Sequence, residues 1–184
     1  MKITTKMGDG GVSGLFNGKR LKKDDNLFDL LGDIDELSAF LGWTKSELIP
    51  LCIKEDCNIE KVKKFLSKTL DDLYLIMSFC GFEFRYPENV SGISEKDLSE
   101  MEILCEYFKK NIDPISGFVR PGKGKVSSSF HVLRTICRRA ERSFVRAYSL
   151  KEPSLELKYL NRLSDVFFVF ALYFQEEPSS SEGQ

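Results

Sequence analysis

Apolar residues recur at helical spacing along most of this sequence. Beyond residue 20 strand-like alternation is nearly absent, and apolar residues return every three or four positions in five successive segments, as on the buried face of an amphipathic helix. The pattern predicts an all-α five-helix bundle with short connections. The predicted helices run from about Asp25 to Leu48, from about Asn58 through Phe79, from Ser94 through Phe108, from about Val126 to Tyr148, and from about Ser154 to Gln175.

Capping residues mark where two of these helices begin. Asn58 is predicted to be the N-cap of the second helix, since an Asn side chain accepts hydrogen bonds from the free N–H groups of a first turn. Ser94 and Asp97 have the spacing of a capping box, with Asp in place of the commoner Glu. Two prolines then bracket a loop predicted over residues 116–125.

The start of the chain differs from the rest, because it is polar and rich in glycine. Residues 2–20 are therefore predicted to lack regular helix. The glycines of this stretch are Gly8, Gly10, Gly11, Gly14 and Gly18. We predict one domain over residues 1–175, made of an N-terminal segment, 1–24, and the bundle, 25–175. The polar tail, 176–184, is expected to be disordered.

The charge balance excludes a general polyanion binder. Lys and Arg number 27 against 28 Asp and Glu, a net charge of −1, so the chain as a whole offers no basic field to nucleic acid or an anionic membrane. No secretory signal is predicted, and the longest uncharged apolar run, 166–174, is far below the roughly 20 residues of a membrane span. Five scattered cysteines and one histidine, His131, suit neither a disulfide framework nor a four-ligand zinc site, which favours the cytoplasm.

The fourth predicted helix carries a row of cations. At 100° per residue, its apolar face holds Leu133, Cys137, Ala140 and Phe144. The opposite side holds His131, Arg134, Arg138 and Arg142, with Glu141 at the edge of the row. The three arginines are i,i+4 neighbours that repel one another, so a bound polyanion would stabilise them, and Arg suits bidentate contact with phosphate. The alternatives are a solvated face with ion pairs and a nucleic-acid surface, which the rest of the chain does not support.

Glycine-rich loops are a second candidate for phosphate binding. In TKMGDGGVSG, residues 5–14, backbone N–H groups could surround a phosphate, although a flexible N-terminus has the same composition. The segment 117–123 resembles a P-loop more closely, but Gly124 stands where the Mg²⁺-binding Ser or Thr is needed, and no strand–helix alternation surrounds it. We therefore reject the P-loop interpretation.

Polar residues on two other helices are further candidates. Asn161 and Asp165 share one face of the otherwise apolar fifth helix and are expected to form a buried polar pair, bonded either to a neighbouring element or to a ligand. Asp35 lies beside a second apolar patch on the first helix, which includes Phe28 and Leu31. It is either an ordinary exposed carboxylate or the partner of an arginine from another subunit.

Taken in order along the chain, these segments resemble the PduO-type ATP:cob(I)alamin adenosyltransferases. The resemblance is collinear and covers residues 3 to about 174, while residues 50–112 carry no motif. The matching segments are Thr5-Lys6-Met7-Gly8-Asp9-Gly10-Gly11 with Ser13, Lys23 ahead of Gly32-Asp33-Ile34-Asp35-Glu36-Leu37, Phe118 with Pro121-Gly122, Arg134-Thr135-Ile136-Cys137-Arg138-Arg139-Ala140-Glu141-Arg142, and Tyr159-Leu160-Asn161-Arg162-Leu163-Ser164-Asp165.

The resemblance implies a five-helix bundle that assembles as a homotrimer, with each active site between two subunits. It implies transfer of the 5′-deoxyadenosyl group of ATP to the cobalt of cob(I)alamin, with Mg²⁺ present and triphosphate released. An adenosylcobalamin-dependent enzyme would accept the product, and neither nucleic acid nor a membrane would be a partner. The implied ATP contacts are Thr5, Lys6, Met7, Gly8, Ser13, Gly14, Lys23, Arg138, Arg139, Glu141, Arg142 and Asn161.

Four residues would carry catalysis by the same resemblance. Arg138, with Lys6 and Lys23 of the N-terminal segment 1–24 (the leader) and Mg²⁺, would stabilise the charge that builds on the leaving triphosphate. Asp35 and Arg134 would form an ion pair between subunits near the corrin. Phe118 would lie under the corrin and keep its lower axial position free of base and water. Because Co(I) is itself the nucleophile, no Ser–His or Cys–His pair is required.

The loop after Phe118 departs from the family's pattern. Arg120 stands where an apolar residue is usual, and Lys123 where a second glycine is usual, so we expect corrinoid affinity or specificity to differ. Leu27 replaces a commonly basic residue, and Ser13 keeps the hydroxyl of the usual Thr. Two alternatives stay open: a helical module that binds nucleic acid through the fourth helix, and a carrier that binds ATP and corrinoid without turnover.

Overall fold

The computed structural model describes residues 4, 6–48, 57–114, 116–149 and 152–175. Within these ranges the five predicted helices are confirmed, with ends close to those expected. They are α1 (Asn26–Glu47), α2 (Cys57–Gly81), α3 (Glu95–Lys109), α4 (Lys125–Ala147) and α5 (Leu155–Tyr173). None of these described helices combines the length and apolar character needed to cross a membrane. The tail 176–184 lies outside the described residues.

Helix α4 lies at the centre of the packing. It contacts α1 on one side and α5 on the other, while α2 packs on α1 and α3 on α5. The apolar face predicted for α4 is confirmed, because all four of its residues are fully buried, as is the α1 stripe that faces them. Burial of this continuous apolar surface is the main source of the bundle's stability. The residues at the centre of the α1 stripe are Leu30, Ile34, Leu37 and Leu41.

Two helix starts show why the sequence could locate them. The side chain of Asp25 accepts a hydrogen bond from the N–H of Leu27 at 2.9 Å, which satisfies a donor of the first turn of α1. At α3 the Asp97 carboxylate accepts from the N–H of Ser94 at 2.9 Å and from its hydroxyl at 2.6 Å. The Ser94 side chain in turn accepts from the N–H of Asp97, which confirms the predicted capping box.

The predicted N-cap at Asn58 is wrong. Helix α2 already includes Cys57, so Asn58 lies inside its first turn. The Asn58 amide instead donates a hydrogen bond to the hydroxyl of Tyr173 at the end of α5, at 2.9 Å. A partner 115 positions away in the sequence determines the role of this side chain, which a local capping rule cannot anticipate.

A short antiparallel hairpin near the N-terminus corrects the all-α prediction. Strands β1 (Val12–Gly14) and β2 (Arg20–Lys22) pair with Val12 opposite Lys22. The turn between them closes through hydrogen bonds from the N–H of Leu15 to the Lys19 carbonyl and from the N–H of Gly18 to the Leu15 carbonyl. Strands of three residues are too short to show a period of two, so the sequence pattern did not reveal them.

A polar network joins α2, α3 and α5. The Tyr159 hydroxyl donates to the Asp72 carboxylate at 2.8 Å, and the Lys68 ammonium lies 2.7 Å from carboxylate oxygens of both Asp72 and Asp97. Burial disfavours the charged form of Asp97, but hydrogen bonds from Lys68 and Ser94 outweigh it and lower the Asp97 pKa to about 2. The network therefore holds the three helices together by mutually satisfied groups.

Candidate functional site

Two arginines on the outer side of α4 are exposed. Arg138 has no hydrogen bond or ion pair through its guanidinium within the described part of the chain, and Arg142 donates only to the backbone carbonyl of Arg138, at 2.9 Å. Neither cation is neutralised by a carboxylate of the described residues. Guanidinium groups held in this way on a rigid helix are available to a bidentate anion such as phosphate.

Arg139, predicted to contact the nucleotide, has partners on α1 instead. Its Nε donates to Asp33 at 2.8 Å, and another of its nitrogens pairs with Glu36. Ser143 donates to the second oxygen of Asp33 at 2.5 Å. These contacts join α4 to α1, and the sequence analysis missed them. The only available signal was the three acidic residues in the GDIDE segment of α1, whose distance from α4 depends on the packing.

The structure also corrects the position of His131. It was predicted on the polar side of the helix, but its side chain is only 4% exposed and its ring lies 6.2 Å from that of Phe168 on α5. Burial, with a smaller contribution from Arg134, lowers the pKa of His131 and favours the neutral ring. Helix α5 covers this end of the cation row, which a helical wheel of α4 alone cannot show.

Arg134 is half-buried in the same cluster. Its guanidinium lies 5.7 Å from the centre of the Phe168 ring, a cation–π contact. Its Nε is buried and finds no hydrogen-bond partner among the described residues. A buried donor of a charged group without an acceptor is costly, which makes Arg134 a candidate for a contact beyond the described residues.

The N-terminal hairpin brings two of the predicted nucleotide contacts together. A Cβ placed on Gly8 would lie 2.9 Å from Nζ of Lys23, so the end of the lysine side chain lies directly against this glycine. The N–H of Lys23 donates to the Gly11 carbonyl at 2.9 Å, and Arg20 donates to the Met7 carbonyl at 2.9 Å. The backbone of the N-terminal segment therefore folds back at its glycines, and the ammonium group of Lys23 lies beside Gly8.

The other predicted leader residues have varied surroundings. Lys6 adopts a left-handed backbone conformation with φ of 60°, and its side chain is exposed. Ser13 and Gly14 belong to β1, where Ser13 is half-buried. Thr5 lies outside the described residues. Within the described ranges, no hydrogen bond or ion pair joins the leader to the arginines of α4 in a single chain.

Asp35 lines an apolar groove of about 860 Å³ between α1, α2 and the hairpin turn. The predicted neighbours Phe28 and Leu31 are confirmed as part of its wall. Asp35 is exposed and forms no ion pair with Arg134 within the described chain. A carboxylate on the edge of an unfilled apolar groove has the character of a contact surface.

Phe118 projects fully into solvent from the loop between α3 and α4. Gly117 and Gly122, on either side of it, have φ of 96° and 111°, which only glycine adopts readily. Together with Phe118, Arg120 and Lys123 line a surface depression of about 740 Å³. A large apolar ring held out by a shaped loop gains no stability in the isolated chain.

The polar pair expected on α5 is not buried. Asn161 and Asp165 are both exposed, because none of the described elements covers that side of α5. The neighbouring Arg162 pairs with Glu102 of α3 at 2.8 Å. Glu141, on α4, is half-buried. Among the residues that the structure describes, no group of three or more His, Cys, Asp or Glu side chains could hold a metal ion.

Comparison with known proteins shows the family. The family model for cobalamin adenosyltransferase matches residues 3–174. The corrinoid adenosyltransferase MMAB of Homo sapiens is 31% identical over 183 residues, which cover 98% of this chain and 72% of the human protein. The corrinoid adenosyltransferase of Bacillus subtilis (strain 168) is 33% identical over 174 residues, covering 93% of this chain and 85% of that protein.

Comparison with solved structures gives the same result. A phenylalanine-to-histidine variant of the PduO-type ATP:corrinoid adenosyltransferase from Lactobacillus reuteri, complexed with cobalamin and ATP, superimposes with a TM-score of 0.78 at 27% identity, over 94% of this chain and 90% of that one. An arginine-to-lysine variant complexed with ATP gives a TM-score of 0.75, also at 27% identity, over 93% of each chain. This chain belongs to the cobalamin adenosyltransferase family. The predicted resemblance is confirmed, and a nucleic-acid module is not favoured.

Proposed function

We propose that this protein transfers the 5′-deoxyadenosyl group of ATP to the cobalt of cob(I)alamin and releases triphosphate. The observation that carries the proposal is the contrast between neighbouring arginines on α4. Arg139 is bound to carboxylates of α1, while Arg138 and Arg142 are exposed with no carboxylate partner in the described chain. In a chain of this family, a row of free guanidinium groups fits the triphosphate of ATP.

The chemistry needs positioning and charge more than proton transfer. The electron pair of Co(I) forms the bond to C5′, the C5′–O bond breaks, and its electrons leave with the triphosphate. Negative charge therefore builds on the leaving group. Arg138, Lys6 and Lys23 are assigned to stabilise that charge, and to hold the ribose carbon in line with cobalt.

Mg²⁺ would arrive with ATP. It would be held mostly by triphosphate oxygens and water, the ligands that it prefers in nucleotide sites. When bound, it neutralises part of the triphosphate charge. Glu141 is the acidic side chain beside the arginine row that could orient one of its waters.

The remaining predicted ATP contacts form part of the same proposal, with one revision. Arg139 is assigned to holding α4 against α1, because its nitrogens are bound to Asp33 and Glu36. The proposed nucleotide contacts are Thr5, Lys6, Met7, Gly8, Ser13, Gly14, Lys23, Arg138, Glu141, Arg142 and Asn161.

The active site is proposed to lie between subunits of a homotrimer. Arg134 has a buried nitrogen without an acceptor, and Asp35 stands exposed beside an apolar groove. An ion pair between Arg134 of one subunit and Asp35 of the next would satisfy both groups. Phe118, fully exposed in one chain, would then lie under the corrin and exclude a lower axial ligand.

The same proposal has consequences for corrinoid affinity, for the location of the protein and for the enzyme that accepts its product. Arg120 and Lys123 lie in the depression that Phe118 lines, so they would face the edge of the corrin and alter its affinity. We place the protein in the cytoplasm, where reduced thiols persist, and expect the product to pass to an adenosylcobalamin-dependent enzyme.

The deciding experiment mixes the protein with ATP, Mg²⁺ and chemically reduced cobalamin and follows the loss of the Co(I) absorbance. Conversion to adenosylcobalamin with release of triphosphate supports the proposal. Binding of corrinoid and ATP without conversion would refute the enzyme and support the carrier. Binding of neither, together with salt-sensitive binding of nucleic acid, would refute both.

A further inference from the structure

The turn of the N-terminal hairpin is docked on the end of α2. The Glu83 carboxylate accepts hydrogen bonds from the Asn17 amide at 2.9 Å and from the Lys19 ammonium. The ring of Phe16 covers Gly81 so closely that a Cβ on Gly81 would lie 2.4 Å from Cδ2 of the ring. We call these contacts, between residues 16–19 and 81–83, the turn latch.

The backbone at Glu83 breaks a local rule. Helix α2 ends in a Schellman motif, in which the N–H of Phe84 donates to the Phe79 carbonyl at 2.8 Å and that of Glu83 to the Cys80 carbonyl at 2.9 Å. Glu83 occupies the left-handed position of this motif with φ of 57°, where glycine is favoured. A non-glycine residue that is retained at a strained backbone position indicates that its side chain has a function.

Global stability does not explain that side chain. Lys19 and Glu83 are 52% and 40% exposed, and exposed ion pairs contribute little to the free energy of unfolding. Their effect is local: the hydrogen bond from Lys19 lowers the pKa of Glu83, and the Lys19 N–H also donates to the Asn17 side chain at 3.0 Å. The turn is therefore held in one conformation against α2.

The two ends of the hairpin carry different groups. The closed end is the turn latch, and the open end carries Gly8 beside Lys23, with Lys23 hydrogen-bonded to Gly11. Because β2 leads directly into α1, the hairpin is held by α1 at one point and by the latch at the other. Removing the latch would let the open end move relative to α4.

We propose that Glu83 is a positioning residue for ATP, which fixes the N-terminal hairpin so that its glycine–lysine end is preformed for the triphosphate. The inference rests on the proposed function. If only a fraction of molecules keeps the hairpin docked, the apparent affinity for ATP falls by that fraction, while turnover at saturating ATP is preserved.

Two variants test the latch without weakening the helix. Glu83→Gly removes the carboxylate and places the favoured residue in the left-handed position. Gly81→Ala adds a methyl group where the Phe16 ring lies, while Ala favours helix. The control is Gly42→Ala on α1, where a Cβ would meet nothing within 4 Å.

We expect both variants to raise KM for ATP, and the dissociation constant for ATP measured by calorimetry without corrinoid, by about five- to tenfold. By the same argument kcat and KM for corrinoid should stay within about twofold, and the melting temperature of Glu83→Gly should not fall. The control should match the unchanged protein. Lys19→Glu should raise KM as well, and the swap Lys19→Glu with Glu83→Lys should bring it back towards the original value.

The outcomes separate the latch from the enzyme assignment. Active protein whose KM for ATP is unchanged in both variants would overturn the latch alone. Parallel losses of kcat, melting temperature and oligomer would also overturn it, because they indicate a purely structural role. Failure of the unchanged protein to convert cob(I)alamin would overturn the proposed function, and the calorimetric ATP affinities would still decide whether the latch positions the leader.

Discussion

The polar side chains on the two sides of α4 differ in whether the described chain supplies them with partners. Towards α1, Arg139 is bound to Asp33 and Glu36, and Ser143 shares Asp33. On the outer side Arg138 has no ion pair within the described chain. Most buried polar groups of a folded chain are paired within it. The exposed cations of α4 that have no carboxylate partner among the described residues lie on the side where we propose that ATP and a second subunit bind.

The strongest test of this contrast is Arg138→Ala. We expect kcat to fall by about 100-fold or more, because a group that stabilises charge in the transition state is lost. The free energy of unfolding should hardly change, since Arg138 has no ion-pair partner within the described chain. Steady-state adenosylation and urea unfolding measure the two quantities.

Lys64→Ala is the matched control for that variant, because Lys64 is an exposed cation on α2 outside the proposed site. It should leave both quantities unchanged. A rate for Arg138→Ala within about threefold of the original would remove this residue from the catalytic assignment.

Charge reversal tests the proposed contact between subunits. Asp35→Arg and Arg134→Asp should each lower activity, and the proportion of trimer, by about tenfold, since each places like charges opposite one another. The double variant should recover part of both losses. Sedimentation velocity and the adenosylation assay report the result. Additive losses in the double variant would show that the two residues do not meet.

Arg139→Ala should show the reverse of Arg138→Ala. The substitution leaves the partly buried carboxylate of Asp33 without its cation, so we expect the free energy of unfolding to fall by about 1–3 kcal/mol. Turnover at saturating substrates should stay within about twofold, because no catalytic charge is lost. Urea denaturation and kcat measure the two effects. A large loss of kcat in a stably folded variant would return Arg139 to the nucleotide site.

The smallest effect on stability is expected in the polar network that joins α2, α3 and α5, away from α4. The pKa of Asp97 is about 2 in the folded protein, below the ordinary 3.8, so its ionised form stabilises the fold above about pH 4. That stabilisation, about 1 kcal/mol after screening by solvent, is lost as the pH falls from about 4 to 2. Asp97→Asn should therefore be less stable at pH 6 and approach the unchanged protein near pH 2. A constant difference across that range would contradict the assignment.

Local periodicity accounts for what could be predicted of the fold. The apolar positions of α1 and α4 return with the helical period, and these residues form the buried centre of the bundle. The capping box at Ser94 and Asp97 is equally local, since its partners are three residues apart. The N-terminal glycines predicted only that residues 2–20 lack regular helix, and the strands of the hairpin there are too short to be recognised from the sequence.

The errors at the site share one cause. His131 was placed on the exposed side and is covered by α5, while Asn161 was expected to be buried and is exposed. The ion pair of Arg139 with Asp33 of α1 was likewise not anticipated. In each case the side chain's surroundings depend on a distant element, which no local pattern specifies.

By itself, the sequence determined which residues form helices, which helix sides are apolar and which family the chain resembles, because all of these depend on the order and spacing of nearby residues. Only the tertiary structure decided which arginines stay free, which polar groups are covered, and how the hairpin turn meets Glu83. Those outcomes depend on contacts between residues far apart in the chain, such as the 66 positions that separate Asn17 from Glu83. Packing brings such residues together only when the whole bundle has formed.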